Sequence, residues 1–257
     1  MAFYKVIASG GVIEVYEYEK DTMKEIHGKN NDKYNQYEKI VLENDENDWL
    51  HEKTDRTDER RKQTMRDARN LTRRLALMNF GQGDTFITLT YAENMQDIEK
   101  ADNDFKKFIQ RFRYRYKGLK YIAVREFQKR GAIHFHMICN WNEDLESEEQ
   151  IKEKERWFGE KLWGHGFVDI KVLDGVDNVG AYLIKYMTKN ISIEAFKGKK
   201  AYLCSKGLER PLVYRGDEAK RIVELYELDT KKEVFTNSYE SEYLGQITYK
   251  EYNLERL

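Results

Sequence analysis

The sequence predicts an α+β protein in which helices pack on a central antiparallel sheet. Short segments rich in β-branched and aromatic residues alternate along the chain with segments whose apolar residues recur at helical spacing. Two neighbouring strand-like segments are separated only by a turn at Lys129-Arg130-Gly131, which favours antiparallel pairing. The order strand, helix, hairpin, helix, strand, helix therefore predicts a layer of antiparallel strands covered by helices.

The first part of the chain is predicted to begin with a β-hairpin. Residues in Phe3–Tyr18 alternate loosely around Gly10-Gly11, and the polar, mostly acidic Lys20–Asp58 is expected to be a loop that contains a helix. Arg60–Phe80 is predicted to be helical because Met65, Ala68, Leu71, Leu75 and Met78 recur at helical spacing. Thr85–Tyr91 reads TFITLTY, a composition typical of a strand.

The second part alternates helices and strands. Asp102–Tyr116 is predicted to be a helix, because Phe105, Phe108, Ile109 and Phe112 share one side of it. A capping box of Ser147 and Gln150 starts a further helix that Gly164 ends. The remaining predictions are strands at Leu119–Phe127, Ala132–Asn140 and Phe167–Val172, a helix at Gly180–Asn190, and strands with turns from Ala201 onwards.

We divide the chain of 257 residues into three parts. Residues 81–210 hold the predicted core. Residues 1–80 form an N-terminal extension, with a hairpin, an acidic loop and a basic helix, that we expect to pack on this core. Residues 211–257 form a C-terminal extension of strands and turns.

Composition excludes several classes of protein. A single proline and 13% aromatic residues argue against a proline-rich linker or a disordered chain. Two cysteines cannot build a disulfide scaffold or a four-cysteine zinc site, so a reducing compartment is expected. We see no signal peptide and no apolar run long enough to cross a membrane, and we therefore expect a cytoplasmic protein without a membrane partner.

Charge is sorted along the chain although 45 basic residues nearly cancel 46 acidic ones. Residues 60–74 and 106–130 are strongly basic, whereas 41–59 and 143–160 are rich in acid. A basic face on a protein of almost no net charge suits an anionic polymer as partner. The alternative is that these charges lie on ordinary solvated helix faces.

A pair of histidines is the first candidate site. In the predicted strand Ala132–Asn140, alternation places His134 and His136 on the same face, where two neutral imidazoles can chelate one divalent ion. Glu126 on the preceding strand has the facing parity of a third ligand, and Gln128 shares that parity. Two imidazoles and a carboxylate suit Mn²⁺ or Mg²⁺ acting as a Lewis acid, whereas the pair alone is also a common accident of sequence.

A pair of tyrosines is the second candidate site. In the predicted helix Gly180–Asn190, aliphatic residues occupy one stripe, and the opposite stripe carries Tyr182, Lys185, Tyr186 and Lys189. A phenol is a poor nucleophile at neutral pH, but neighbouring ammonium groups and a metal ion favour the phenolate and neutralise a phosphate under attack. The alternative is an exposed amphipathic helix with cation–π pairs.

Together these segments resemble a known family. TFITLTY at 85–91, His134-Phe135-His136 and YLIKYMTK at 182–189 occur in the order and roughly the spacing found in HUH endonucleases. The chain resembles the rolling-circle replication initiators, or Rep proteins, of the two-tyrosine type, over roughly residues 80–210. The flanking segments LWGHGFVDI at 162–170 and SKGLERP at 205–211 are also similar to the family.

This resemblance implies an RRM-like sheet with the histidines on a middle strand. It implies metal-dependent nicking of single-stranded DNA at a replication origin, in which a tyrosine becomes linked to the 5′ phosphate, and rejoining at termination. By motif, His134, His136 and Glu126 would bind the metal, and Tyr182 and Tyr186 would be the nucleophiles. Lys185 and Lys189 would contact phosphate or assist the tyrosines. No phosphate-loop motif of a helicase is found, so a host helicase and polymerase are expected partners.

Two further functions fit parts of the pattern. An HUH-type transposase would share the chemistry and differ in the DNA ends that it cuts. A non-catalytic single-stranded nucleic-acid-binding regulator would need neither the histidines nor the tyrosines. In each case Arg66, Arg69, Arg73 and Arg74 are candidate contacts to DNA phosphates, or else pair with the acidic 41–59 segment.

Overall fold

The computed structural model describes residues 3–20, 57–128, 130–143, 147–187, 200–241 and 244–256. The chain divides into two compact units, one from residues 1–53 and 211–257 and the other from residues 54–210. Within the described ranges, no helix is long and apolar enough to cross a membrane. Most of the predicted acidic loop at Lys20–Asp58 lies outside the described residues.

The described elements are ten strands and five α-helices. In chain order they are β1 (Phe3–Ser9), β2 (Val12–Tyr18), α1 (Thr57–Asn79), β3 (Thr85–Tyr91), α2 (Ile98–Arg115), β4 (Tyr121–Phe127), β5 (Ile133–Cys139), α3 (Glu148–Trp157), β6 (Gly166–Val172), α4 (Val179–Ile184), β7 (Tyr202–Cys204), β8 (Leu212–Arg215), α5 (Gly216–Leu225), β9 (Phe235–Ser241) and β10 (Gly245–Asn253). A π-helical segment, Phe158–Trp163, continues α3.

The unit of residues 54–210 is built on a five-stranded antiparallel sheet in the order β6-β3-β5-β4-β7. Strand β5 lies in the middle, and all seven of its residues are buried. Helices cover parts of both faces. The predicted α+β class with the histidine strand at the centre of the sheet is therefore confirmed.

Local signals set the ends of the helices. The side chain of Asp97 accepts hydrogen bonds from the backbone N–H groups of Glu99 and Lys100, so α2 begins four residues before the predicted start. The predicted capping box of Ser147 and Gln150 starts α3. Gly164 ends the π-helical segment in the left-handed conformation that glycine favours.

The two faces of this sheet carry different cores. Alternation along the strands sends Leu89, Phe135 and Met137 to one face, where they pack with the phenylalanines of α2 and with Trp163. It sends Phe86, Val124 and Ile138 to the other face, where they pack with residues of α1 and α4. The two histidines of β5 share the parity of this second face, so they lie beside the helix that carries the tyrosines.

The other unit is a second five-stranded antiparallel sheet, in the order β8-β1-β2-β10-β9. The predicted hairpin of β1 and β2 is confirmed, with Ser9 paired to Val12 across the glycine turn. Val6, Val15 and Tyr252 form its core with Val223 of α5.

Candidate active site

The sheet brings the two histidines and Glu126 together. Thr90 on β3 and Glu126 on β4 are the direct cross-strand partners of His134. Thr88 is the direct partner of His136. Because directly paired residues of an antiparallel sheet share a face, these side chains form one patch above the centre of the sheet.

Hydrogen bonds hold one imidazole and leave the other open. His136 Nε2 lies 2.8 Å from Glu126 Oε2, and His136 Nδ1 lies 3.2 Å from Thr88 Oγ1. His134 Nε2 is buried and has no hydrogen-bond partner among the described residues. A buried nitrogen without a partner is costly, and a bound ligand would relieve that cost.

The donor set fits a divalent metal ion. Ligand atoms of Glu126, His134 and His136 all lie within 4.8 Å of one another. Gln128, the other candidate for the third ligand, instead accepts a hydrogen bond from Arg130 Nε. Two imidazole nitrogens and a carboxylate oxygen are donors that Mn²⁺ and other first-row ions accept, and the open nitrogen of His134 is available to such an ion.

Burial keeps both imidazoles neutral. Desolvation lowers the pKa of His134, with the charge of Glu126 acting in the opposite direction. Desolvation also lowers the pKa of His136, against the hydrogen bond with Glu126. Neutral imidazole is the form that binds a metal ion, so the fold prepares these two side chains for coordination near neutral pH.

These lowered pKa values predict how the stability of the metal-free protein depends on pH. Below about pH 6.5 the unfolded chain binds protons at both histidines before the folded chain does, so stability is lost as the pH falls. We expect the free energy of unfolding in EDTA to fall between about pH 7 and pH 5. In a His134→Gln, His136→Gln variant this fall should be smaller. Urea unfolding across this range measures both slopes, and equal slopes would contradict the assignment.

A short helix places the tyrosines over this patch. The side chain of Asn178 accepts a hydrogen bond from the backbone N–H of Ala181, which starts α4. The predicted helix Gly180–Asn190 was too long, because the α-helix ends at Ile184. Tyr186 N–H then bonds to Leu183 O at 3.2 Å, a tighter i to i−3 turn that keeps this second tyrosine near the first.

Gly180 lets α4 approach α1 closely. A Cβ atom at position 180 would lie 2.4 Å from the backbone oxygen of Arg73 and 3.0 Å from Leu77 Cγ. Since a backbone atom cannot move as a side chain can, only glycine allows this approach. The separation of the tyrosine helix from α1 therefore depends on this one residue.

Replacing Gly180 by alanine is expected to push the two helices apart. Overpacking of this kind costs about 1–3 kcal/mol, and we expect a loss of stability in that range for Gly180→Ala. Gly81→Ala is the matched control, because a Cβ there would meet nothing within 4 Å. Chemical denaturation of both variants checks the prediction, and equal stabilities would show that α4 is not fixed in this way.

The rings of the tyrosines and of His136 form one cluster. The Tyr186 ring stacks on the His136 imidazole with centroids 3.7 Å apart, and the Tyr182 ring meets Tyr186 edge-on at 6.2 Å. Phe86 contacts all three of these rings from the sheet below. Both phenols therefore lie beside the candidate metal site.

A lysine lies against both phenol rings. Lys185 Nζ is 3.8 Å from the centroid of Tyr182 and 4.7 Å from that of Tyr186. Burial raises the pKa of Tyr182, and the neighbouring Tyr186 raises it further, whereas the charge of Lys185 acts in the opposite direction. The ammonium group is thus placed to stabilise a phenolate on either ring.

Other predicted residues lie outside this cluster or outside the described chain. Lys189 falls in 188–199, which the structure does not describe. Arg66 and Arg69 lie on the outer turns of α1, and Arg73 and Arg74 are half-buried nearer to α4. The contact of these four arginines with DNA stays a prediction.

Sequence reasoning did not single out two residues of β6. Asp169 is the cross-strand partner of Thr88, and Lys171 is the partner of Phe86. Lys171 Nζ lies 3.3 Å from Asp169 Oδ2, and hydrogen bonding to Asp169 raises the pKa of Lys171. Alternation in Phe167–Val172 was visible in the sequence, but its position beside β3 was not.

An antiparallel sheet that carries two histidines and a carboxylate, with two tyrosines over them, defines a site of the kind predicted from the HUH resemblance. Residues 84–191 match the family model described as replication-associated protein ORF2. This match spans the histidines, Glu126 and both tyrosines, and it confirms the resemblance to rolling-circle replication Rep proteins. No curated protein and no solved structure matches the chain significantly.

Proposed function

We propose that this protein is a replication initiator that nicks single-stranded DNA at an origin by metal-dependent tyrosine transesterification and rejoins the ends at termination. The observation that carries the proposal is the stacking of Tyr186 on His136, which puts a phenol beside the candidate metal ligands. Binding alone requires neither this ligand set nor a second tyrosine beside it.

The reaction follows from the groups present. A tyrosine Oη attacks the phosphorus of the scissile phosphodiester, the bond from phosphorus to the 3′ oxygen breaks, and the phenol gives up its proton as the 3′ hydroxyl gains one. The product is a 5′-phosphotyrosine and a free 3′ hydroxyl that can prime synthesis. Because one ester replaces another, the step needs no ATP, and the reverse attack by a 3′ hydroxyl rejoins DNA.

Each residue of the cluster has a part in this scheme. Glu126, His134 and His136 would hold Mn²⁺ or Mg²⁺, which when bound supplies Lewis-acid stabilisation of the phosphate charge. Lys185 stabilises the phenolate of the attacking tyrosine. Two tyrosines allow one to hold a DNA end while the other attacks, which suits termination as well as initiation.

The DNA strand is proposed to follow the basic helix α1 towards this site. Helices α1 and α4 pack in the same core on the histidine side of the sheet. Arg66, Arg69, Arg73 and Arg74 are proposed to contact phosphates, and such contacts make binding depend on salt. Lys189 is proposed as a further phosphate contact, and a host helicase and polymerase are proposed to extend the nicked strand.

A denaturing gel tests the proposal. The protein is incubated with circular single-stranded DNA of its own replicon and MnCl₂, with or without EDTA. We expect a retarded covalent species that EDTA abolishes. Tight DNA binding without any covalent species in either condition would overturn the catalytic proposal in favour of a binding regulator.

A further inference from the structure

A large aromatic side chain lies exposed on the edge strand next to the site. In β6, Val168 and Ile170 are buried, whereas Phe167, Asp169 and Lys171 alternate with them on the other face. The Phe167 side chain is 72% exposed, although phenylalanine is among the residues most often buried. Burial therefore does not explain a phenylalanine at this position.

Register places this ring in the same row as the candidate metal ligands. Phe167 is the direct partner of Thr90, Thr90 is the partner of His134, and His134 is the partner of Glu126. These four residues share one face, and Phe167 lies two strands away from His134. At about 4.8 Å between neighbouring strands, the two backbones are roughly 10 Å apart, a distance that a few nucleotides of extended strand can cover.

The backbone before Phe167 is held in a conformation that glycine alone adopts without strain. Gly166 has φ of +154°, and a Cβ there would lie 2.3 Å from the carbonyl oxygen of Thr90. The N–H of Ala92 also bonds to the carbonyl of His165 at 2.9 Å. The start of β6 is thus tied to β3, and the ring is presented from a rigid strand, which lowers the entropy lost when a ligand binds.

Cations flank the ring along the same face. Lys171 follows on β6, and Arg130 lies in the turn that leads into β5 just before His134. Both side chains are exposed. An open aromatic ring between cations is the arrangement that single-stranded nucleic acid binders use for a base and its adjacent phosphates.

We propose that Phe167 stacks on an unpaired base of the DNA strand near the phosphate that is cut, and so positions that strand over the metal ligands. This inference rests on the proposed function, since it assigns a contact of the same substrate. A stacking contact accepts any base, so Phe167 positions the strand without reading its sequence.

Binding of fluorescein-labelled oligothymidylate, followed by anisotropy in EDTA, tests this contact without any cleavage. Loss of one aromatic stack weakens binding by about fivefold or more, and we expect that loss for Phe167→Ala and for Phe167→Leu. Phe167→Trp should bind at least as well as the wild type. Tyr114→Ala is the matched control, because Tyr114 is 77% exposed on α2, which packs on the opposite face of the sheet.

The outcomes separate this inference from the proposed function. Wild-type affinity in Phe167→Ala, or in Phe167→Leu, would overturn stacking even if the wild type forms a covalent adduct. Equal losses in Phe167→Ala and Tyr114→Ala would also overturn it, because the effect would not belong to this face. A loss confined to the Phe167 variants, in a protein that forms no adduct, would uphold the contact and overturn the nicking reaction.

Discussion

Replacing both Tyr182 and Tyr186 by phenylalanine is expected to abolish covalent attachment to single-stranded DNA. The change removes two phenol oxygens and keeps both rings, so the packing against Phe86 and His136 is retained. Loss of an attacking nucleophile costs several orders of magnitude in rate, which takes the adduct below detection on a gel. The measurement is adduct yield with circular single-stranded DNA and Mn²⁺.

Tyr114→Phe is the control for this experiment, and we expect full adduct yield from it. The single variants then show which tyrosine attacks first, because the variant that keeps its active phenol continues to form adduct. An adduct that persists in the double variant would contradict the assignment of these tyrosines as nucleophiles.

Removal of one candidate metal ligand is expected to have the second largest effect. His134→Ala leaves a donor set of one imidazole and one carboxylate, and loss of even a supporting group around a metal commonly weakens affinity by about 10- to 100-fold. We expect Mn²⁺ affinity to fall by at least that factor and adduct formation to fall with it. Isothermal titration with Mn²⁺ measures the first effect.

The matched control for the ligand variant is His165→Ala. His165 lies against Tyr91, Trp163 and Asp104 rather than beside His134. We expect Mn²⁺ affinity to be unchanged there. Mn²⁺ should also raise the thermal unfolding midpoint of the wild type and of His165→Ala but not that of His134→Ala. Equal Mn²⁺ affinities in the two variants would show that the ion binds elsewhere.

The central sheet was predictable because its signals are local. Alternation around His134 and His136 sets their common face, and the short turn after Phe127 sets the pairing of β4 with β5. Parity alone left both Glu126 and Gln128 open as partners of the histidines. The structure separates them through register, since Glu126 is directly opposite His134 and Gln128 is turned towards Arg130.

Other features depend on contacts between distant residues and could not be predicted. The hairpin of β1 and β2 was visible locally, but nothing in its pattern indicates that β10 pairs with β2 and β8 with β1. Apolar spacing predicted α4 beyond Ile184, whereas the structure tightens the chain there. Alternation in β6 also did not tell which of its faces would be covered, so the exposure of Phe167 was missed.

The most direct test of the account is to find the amino acid that carries the DNA. The covalent species formed with Mn²⁺ is digested with nuclease and trypsin, and the remaining phosphonucleotide is located by mass spectrometry. Cleavage after Lys185 separates residues 172–185, which contain Tyr182, from residues 186–189, which contain Tyr186. The account predicts the modification on one or both of these peptides and its absence when EDTA is present. A modification on any other peptide, or one that forms equally in EDTA, would contradict it.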